Sequence, residues 1–119
     1  MTERSYSRLE IEALQTIARF CDDIGRIIER HGSSKEIFEE DIYLQYSCVF
    51  ALTQIGEHVK RLSQELKDAH PEIKWKDIAG MRDIISHNYA GIKVSKVRSA
   101  VLVDIPLLKE KCRSILSGL

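Results

Sequence analysis

Three residues near the C-terminal third of this chain combine types that phosphodiester chemistry needs: Arg82, His87 and Tyr89, spaced Arg-x4-His-x-Tyr. Cleaving RNA requires a base for the ribose 2′-OH, a cation for the pentavalent phosphate and an acid for the leaving 5′-oxygen. An imidazole with a pKa near neutrality suits the proton steps. A guanidinium suits the phosphate, because its planar fork matches two oxygens and it stays charged. Asp83 and Asn88 lie in the same stretch, Trp75-Lys-Asp-Ile-Ala-Gly-Met-Arg-Asp-Ile-Ile-Ser-His-Asn-Tyr89. Asp83 and His87 are four apart, so on a helix they are neighbours. Asp83 would hold His87 protonated or orient its ring, as would the nearby helix C-terminus. That helps a general acid and hinders a general base, and both roles stay open.

The geometry imposes a condition. On a straight helix, positions five apart diverge by about 140°. Arg82 and His87 therefore meet at one phosphate only if the helix frays near Gly91 or if a second chain completes the site. The second option predicts a homodimer with these segments facing each other. Doubling would also concentrate positive charge, which matters because the formal net charge is zero and no global basic field gathers a polyanion.

The elements that position these residues read as helices. Only two prolines and six glycines punctuate 119 residues, too few for an all-β chain. The first segment, about Ser7 to His31, carries Leu14, Ile17, Ala18, Cys21, Ile24 and Ile28 on one face, with Gly32 as its C-cap. A second runs from Ser34 or Asp41 to His70 along Cys48, Ala51, Leu52, Ile55, Val59, Leu62 and Leu66. Its early part, Lys35 to Asp41, is acidic and less periodic and reads as a separate short turn. The third is Trp75 to Tyr89. The fourth, Ser95 to Leu116, buries Val97, Val101, Ile105, Leu108, Cys112 and Ile115, and Pro106 should bend it by removing an amide donor. The expectation is an all-α, up-down helical bundle of four to five helices, a single domain over 1–119.

Composition is ordinary for a globular chain, with 44% hydrophobic and 30% charged residues. Three cysteines, Cys21, Cys48 and Cys112, fall on apolar stripes without disulfide or metal-ligand spacing and read as buried thiols. No metal or cofactor constellation is read from the sequence. No signal peptide and no membrane-length apolar run is visible, so a cytoplasmic location is expected. His31 and His70 read as helix-end caps; His58 beside Lys60 and Arg61 could line a phosphate channel, but reads first as a solvated helix face. Glu57, beside Gly56, reads as a buried or interface carboxylate whose donor would be Arg82 of either chain. Low aromatic content offers no base-stacking platform, which implies weak sequence specificity.

The Arg82-x4-His87-x-Tyr89 spacing resembles the signature of HepT-type toxins of the HEPN superfamily. Gln54-Ile55-Gly56-Glu57 with Leu62, and Asp41 at the start of that helix, resemble the family's second-helix motif. Pro71-Glu72-Ile73-x-Trp75-x-x-Ile78-Ala79-Gly80-Met81-Arg82 and Asp104-Ile105-Pro106-x-Leu108 resemble its flanking runs. Lys93-Val94 departs from the family, where an acidic residue is common, and Asn88 fills a variable position. The resemblance implies a homodimer with both motifs lining a shared cleft, and Arg82 and His87 as catalytic residues of a metal-independent endoribonuclease leaving a 2′,3′-cyclic phosphate. It also implies a type VII toxin–antitoxin pair, in which an MntA-type nucleotidyltransferase antitoxin transfers AMP to Tyr89. A non-catalytic HEPN helper that binds nucleotide or substrate for a transferase is the alternative, and a plain helical adaptor with Tyr89 and Trp75 as packing residues is a third.

Overall fold

Ser7 starts the first helix by a reciprocal cap. Its Oγ accepts the Glu10 amide at 3.0 Å, and the Glu10 carboxylate accepts the Ser7 amide at 3.3 Å, which satisfies two otherwise orphaned donors. The computed structural model describes residues 6–88 and 93–119, apart from the side chains of Ile84, Ser86, His87 and Asn88. Helix α1 (Arg8–His31) buries Ala13, Leu14, Ile17, Cys21 and Ile24. It ends where Gly32, at φ 96°, takes a conformation that side chains disfavour.

The acidic stretch after Gly32 is a separate short helix, α2 (Lys35–Glu40). Asp41 breaks it from α3 (Ile42–Val59), because its carboxylate accepts the amides of Tyr43 and Leu44, both at 3.0 Å. His31 reaches that same carboxylate at 3.1 Å, tying the end of α1 to the start of α3. The second segment does not run on to His70 as a single helix. It stops after Val59 and resumes as α4 (Gln64–Ala69). The cause is long-range: Ser63 donates its amide to buried Glu10 at 3.0 Å while its hydroxyl caps Leu66. An amide committed to a carboxylate 53 positions away cannot join the helix ladder.

Helix α5 (Trp75–Asn88) follows, and Trp75 is core, its Nε1–H donating to the His70 carbonyl at 2.9 Å. The last segment comprises α6 (Val94–Ser99), a π-helical turn (Ala100–Asp104) and α7 (Ile105–Ser117). Here the Pro106 effect takes a specific form. Proline cannot donate to the preceding turn, and the ladder widens so that the Ile105 amide bonds to the Ala100 carbonyl.

Helix α1 packs against α3 and α7, and α3 also packs against α5. The pairs His31–Asp41, Phe20–Phe50 and Glu10–Ser63 run in opposite chain directions, so α1 and α3 are antiparallel. The expected all-α, up-down bundle is observed, with no strand among the described residues. None of the described helices is long and apolar enough to cross a membrane. Arg113 and Lys109 of α7 clasp Asp22 of α1, both at 2.8 Å, and the Lys109 hydrogen bond, reinforced by Arg113, holds that carboxyl below its ordinary pKa.

Cys21, Cys48 and Cys112 are free and buried. Burial pushes Cys48 up to about 11 and Cys112 up to about 12, and raises Cys21 as well. Because the thiolate is the nucleophile, native protein near neutral pH should leave all three unlabelled by an aromatic disulfide reagent, with every thiol reacting once denaturant is added. Rapid labelling of any thiol in the native state would contradict the burial.

Candidate active site on the α3–α5 seam

Gly56 sets how closely α3 and α5 approach. A Cβ built there would lie 2.6 Å from the Cβ of Arg82 and 3.1 Å from the carbonyl oxygen of Ile78. The next residue of α3, Glu57, is thereby brought to Arg82 of the same chain, with Oε2 2.7 Å from Nε. The Nε–H is buried but does not point along that line, so it has no in-line acceptor among the described residues. The contact is a close ion pair rather than a formed hydrogen bond. Arg82 Nη1 does donate, to Asp83 Oδ1 at 3.2 Å, and Lys60 Nζ donates to the same oxygen at 2.6 Å.

Four alternating charges thus line the seam, from Glu57 through Arg82 and Asp83 to Lys60. The Lys60 hydrogen bond, followed by that of Arg82, keeps the Asp83 carboxyl below its ordinary pKa. The Arg82 side chain is 30% exposed. Its stem is pinned against Gly56 and its Nε is buried, while the side chain as a whole keeps some contact with solvent.

The fold treats the sequence-level expectations unevenly. Glu57 does pair with Arg82, within one chain, but it is half-exposed rather than buried. Asp83 serves Lys60 and Arg82. Its expected pairing with His87, the His87 and Asn88 side chains and all of Tyr89 lie outside the described residues. Helix α5 is continuous through Asn88, so the helix does not fray between positions 82 and 87. Lys60 does not stand on a purely solvated face but bridges to Asp83. The signal in the sequence is its spacing, since Lys60 comes four residues, about one turn, after Gly56, where α3 meets α5 most closely. His58 is also more than solvated. Its Nδ1 lies 2.7 Å from the Gln54 carbonyl, which can only accept, so Nδ1 carries the proton. With Arg61 it lines a cleft of about 540 Å³ against α1.

The sequence model of the HepT-like ribonucleases matches residues 11–115, nearly the whole bundle and the entire seam. The chain belongs to the HepT-like ribonuclease family. It is thus a HEPN-superfamily protein, and the Gly56-Glu57 and Arg82-Asp83 pairs lie within the family match. A protein of Caldanaerobacter subterraneus subsp. tengcongensis named "Putative RNase TTE0752" is 40% identical over 104 residues, covering 87% of this chain and 90% of that one. "Probable ribonuclease HepT" of Thermococcus cleftensis is 37% identical, covering 77% and 88%. "Putative RNase MJ1216" of Methanocaldococcus jannaschii is 29% identical, covering 89% and 86%. No solved structure matches the chain. In this HepT-like chain the close approach at Gly56 explains why the glycine and the glutamate stand next to each other: the first admits α5, and the second meets the arginine it carries.

Proposed function

We propose that this chain is the toxin of a HepT/MntA-like toxin–antitoxin pair, a metal-independent endoribonuclease using Arg82 and His87 and silenced by AMP transfer to Tyr89. The observation that carries the reading is the Arg82 side chain, pinned at the α3–α5 seam, partly open to solvent and flanked by two carboxylates that keep it oriented. In the reaction the 2′-OH gives up its proton, its oxygen attacks the adjacent phosphorus, and the bond to the 5′-oxygen breaks. A 2′,3′-cyclic phosphate and a 5′-hydroxyl result, with the proton returned to the leaving oxygen. Arg82 offsets the charge on the phosphate oxygens, and His87 transfers a proton.

Because α5 is helical across positions 82 and 87, those positions stand about 140° apart around its axis. The working site is therefore read as a pair of chains in which one copy's His87 completes the other's Arg82. A phosphate added at Tyr89, seven positions after Arg82 in the sequence, would occupy the anion site and repel the RNA backbone. The partner doing so would be a nucleotidyltransferase of the MntA type.

The test has two arms. Purified chain with 5′-labelled RNA in excess chelator should give fragments ending in cyclic phosphate, and intact RNA after long incubation refutes the nuclease. Co-expression with an MntA-type nucleotidyltransferase should add AMP units to the intact mass, lost in Tyr89→Phe. An unmodified wild-type chain refutes the antitoxin mechanism.

Glu57 is read as a positioning residue, acting through Arg82. Glu57→Gln should change stability by less than about 1 kcal/mol, since the pair is partly exposed, yet lower kcat roughly ten-fold with little change in KM. Equal kcat in the two proteins would remove Glu57 from the mechanism.

A further inference from the structure

The turn that ends α3 serves two neighbours. Glu57 and Lys60 pair with Arg82 and Asp83 of α5, whereas His58 and Arg61 line the cleft against α1, about 540 Å³ in volume. A recess of that size accommodates a nucleotide. The chain keeps turning through these residues, since the Lys60 and Arg61 amides donate to the Gly56 and His58 carbonyls at 3.2 and 3.0 Å. Arg61 therefore stands one turn beyond Glu57, about 6 Å away between Cβ atoms, and Glu57 is the residue that holds Arg82. A nucleic-acid strand advancing about 3.4 Å per nucleotide covers that separation in one or two steps.

The groups lining the cleft suit a phosphodiester. Lys60, Lys109, Lys111 and Arg113 are each held by a carboxylate. Arg61 is exposed and has no acidic partner among the described residues, so its planar fork is available to a phosphate. The His58 Nδ1–H is tied to the Gln54 carbonyl at 2.7 Å, which fixes the ring and leaves Nε2 to serve a ligand. A proton taken up at Nε2 makes it a second, charged donor. On the α1 side stand the apolar side chains of Leu9 and Ala13 and the hydroxyl of Thr16, a wall suited to a base and its ribose. Glu12 also lines the cleft, but Arg8 engages its carboxylate at 3.2 Å and offsets its charge.

We propose that the cleft between α1 and the end of α3 is a subsite for the RNA strand, in which Arg61 and His58 hold a phosphodiester one or two nucleotides from the one at Arg82. The nucleotide attached to it rests against Leu9, Ala13 and Thr16. Backbone contacts of this kind set the register of a strand without reading its sequence. This rests on the reading of Arg82 as the nuclease centre, and it adds the path by which the strand leaves that centre, across the end of α3 towards α1. Arg61 and His58 are binding residues here and touch none of the reacting atoms.

The experiment measures, by fluorescence anisotropy at several salt concentrations, the binding of a labelled 2′-O-methyl oligoribonucleotide to the full chain. That strand has no 2′-hydroxyl to attack and stays intact. Arg61→Ala and His58→Ala should each raise Kd about ten-fold. Arg61→Ala should also flatten the slope of log K against log salt by about 0.7, the share of one phosphate on a single strand, and Arg61→Lys should retain that slope. Arg30→Ala removes an equally exposed cation about 21 Å further along α1 than Thr16, and should leave both Kd and slope unchanged. With cleavable RNA, Arg61→Ala should raise KM at constant kcat. Unchanged affinity in both cleft variants, or no binding by wild type, overturns the proposal. So does an equal loss in Arg30→Ala. AMP binding that Arg61→Ala weakens while leaving strand binding intact assigns the cleft to free nucleotide and overturns it too. RNA bound through Arg61 but never cut by wild type sinks the nuclease alone, and RNA cut with one KM by wild type and Arg61→Ala sinks the subsite alone.

Discussion

Substituting Arg82 with alanine is expected to lower RNA cleavage roughly a thousand-fold or more, the usual consequence of deleting a cation that stabilises a transferring phosphoryl group. His87→Ala should lose about a hundred- to ten-thousand-fold, the range typical of a proton-transfer group. Arg82→Lys is the sharper probe. It keeps the positive charge near Glu57 and Asp83 but replaces a planar fork by a single ammonium, so activity should fall almost as far while the fold is retained. The stability cost of Arg82→Ala should be no more than about 1 kcal/mol, because its ion pairs are partly exposed and Asp83 keeps Lys60. Induced expression in bacteria gives a second readout: growth arrest with RNA breakdown in wild type only. If all three variants arrest growth as wild type does, the seam is not the catalytic centre.

Gly56→Ala should carry the largest structural penalty of any single-methyl change on the seam. In an exposed helix interior, glycine to alanine stabilises by roughly 0.5–1 kcal/mol. Gly25, in the middle of α1, has nothing within 4 Å of where an added methyl would stand, and should show that gain. At Gly56 the same methyl would stand 2.6 Å from Arg82 Cβ, the rigid base of a side chain, and 3.1 Å from a backbone oxygen. Neither can swing aside, so α5 has to move. Overpacking of this kind costs about 1–3 kcal/mol, which exceeds the propensity gain and should depress Tm by roughly 5–10 °C. Arg82 would move with the helix, and cleavage should fall more steeply than stability. A Gly56→Ala protein that melts with or above wild type, as Gly25→Ala should, would show that the two helices are not in tight register.

Some of this was legible in the residues one at a time. Ser7 with Glu10, and Asp41 before an apolar run, mark helix starts because capping is local chemistry within three residues. The apolar stripes of α1, α3 and α7 follow from a period of 3.6, and the Pro106 irregularity follows from a missing amide. The pairing of Glu57 with Arg82 was legible as a demand, since a carboxylate beside a close-packed glycine calls for a donor, though which chain supplied it was not.

Sequence alone determined the helical class, the buried thiols and the residue types available for phosphodiester chemistry, since each depends on periodicity or on functional groups a few positions apart. Tertiary structure decided the break between α3 and α4, the recruitment of Lys60 by Asp83 and the cleft that His58 and Arg61 form with α1. These outcomes depend on partners 53 and 23 positions away, or on which helix comes to lie beside the end of α3. Local propensity is blind to both, because the free energy that settles them comes from surfaces that meet only once the bundle has closed.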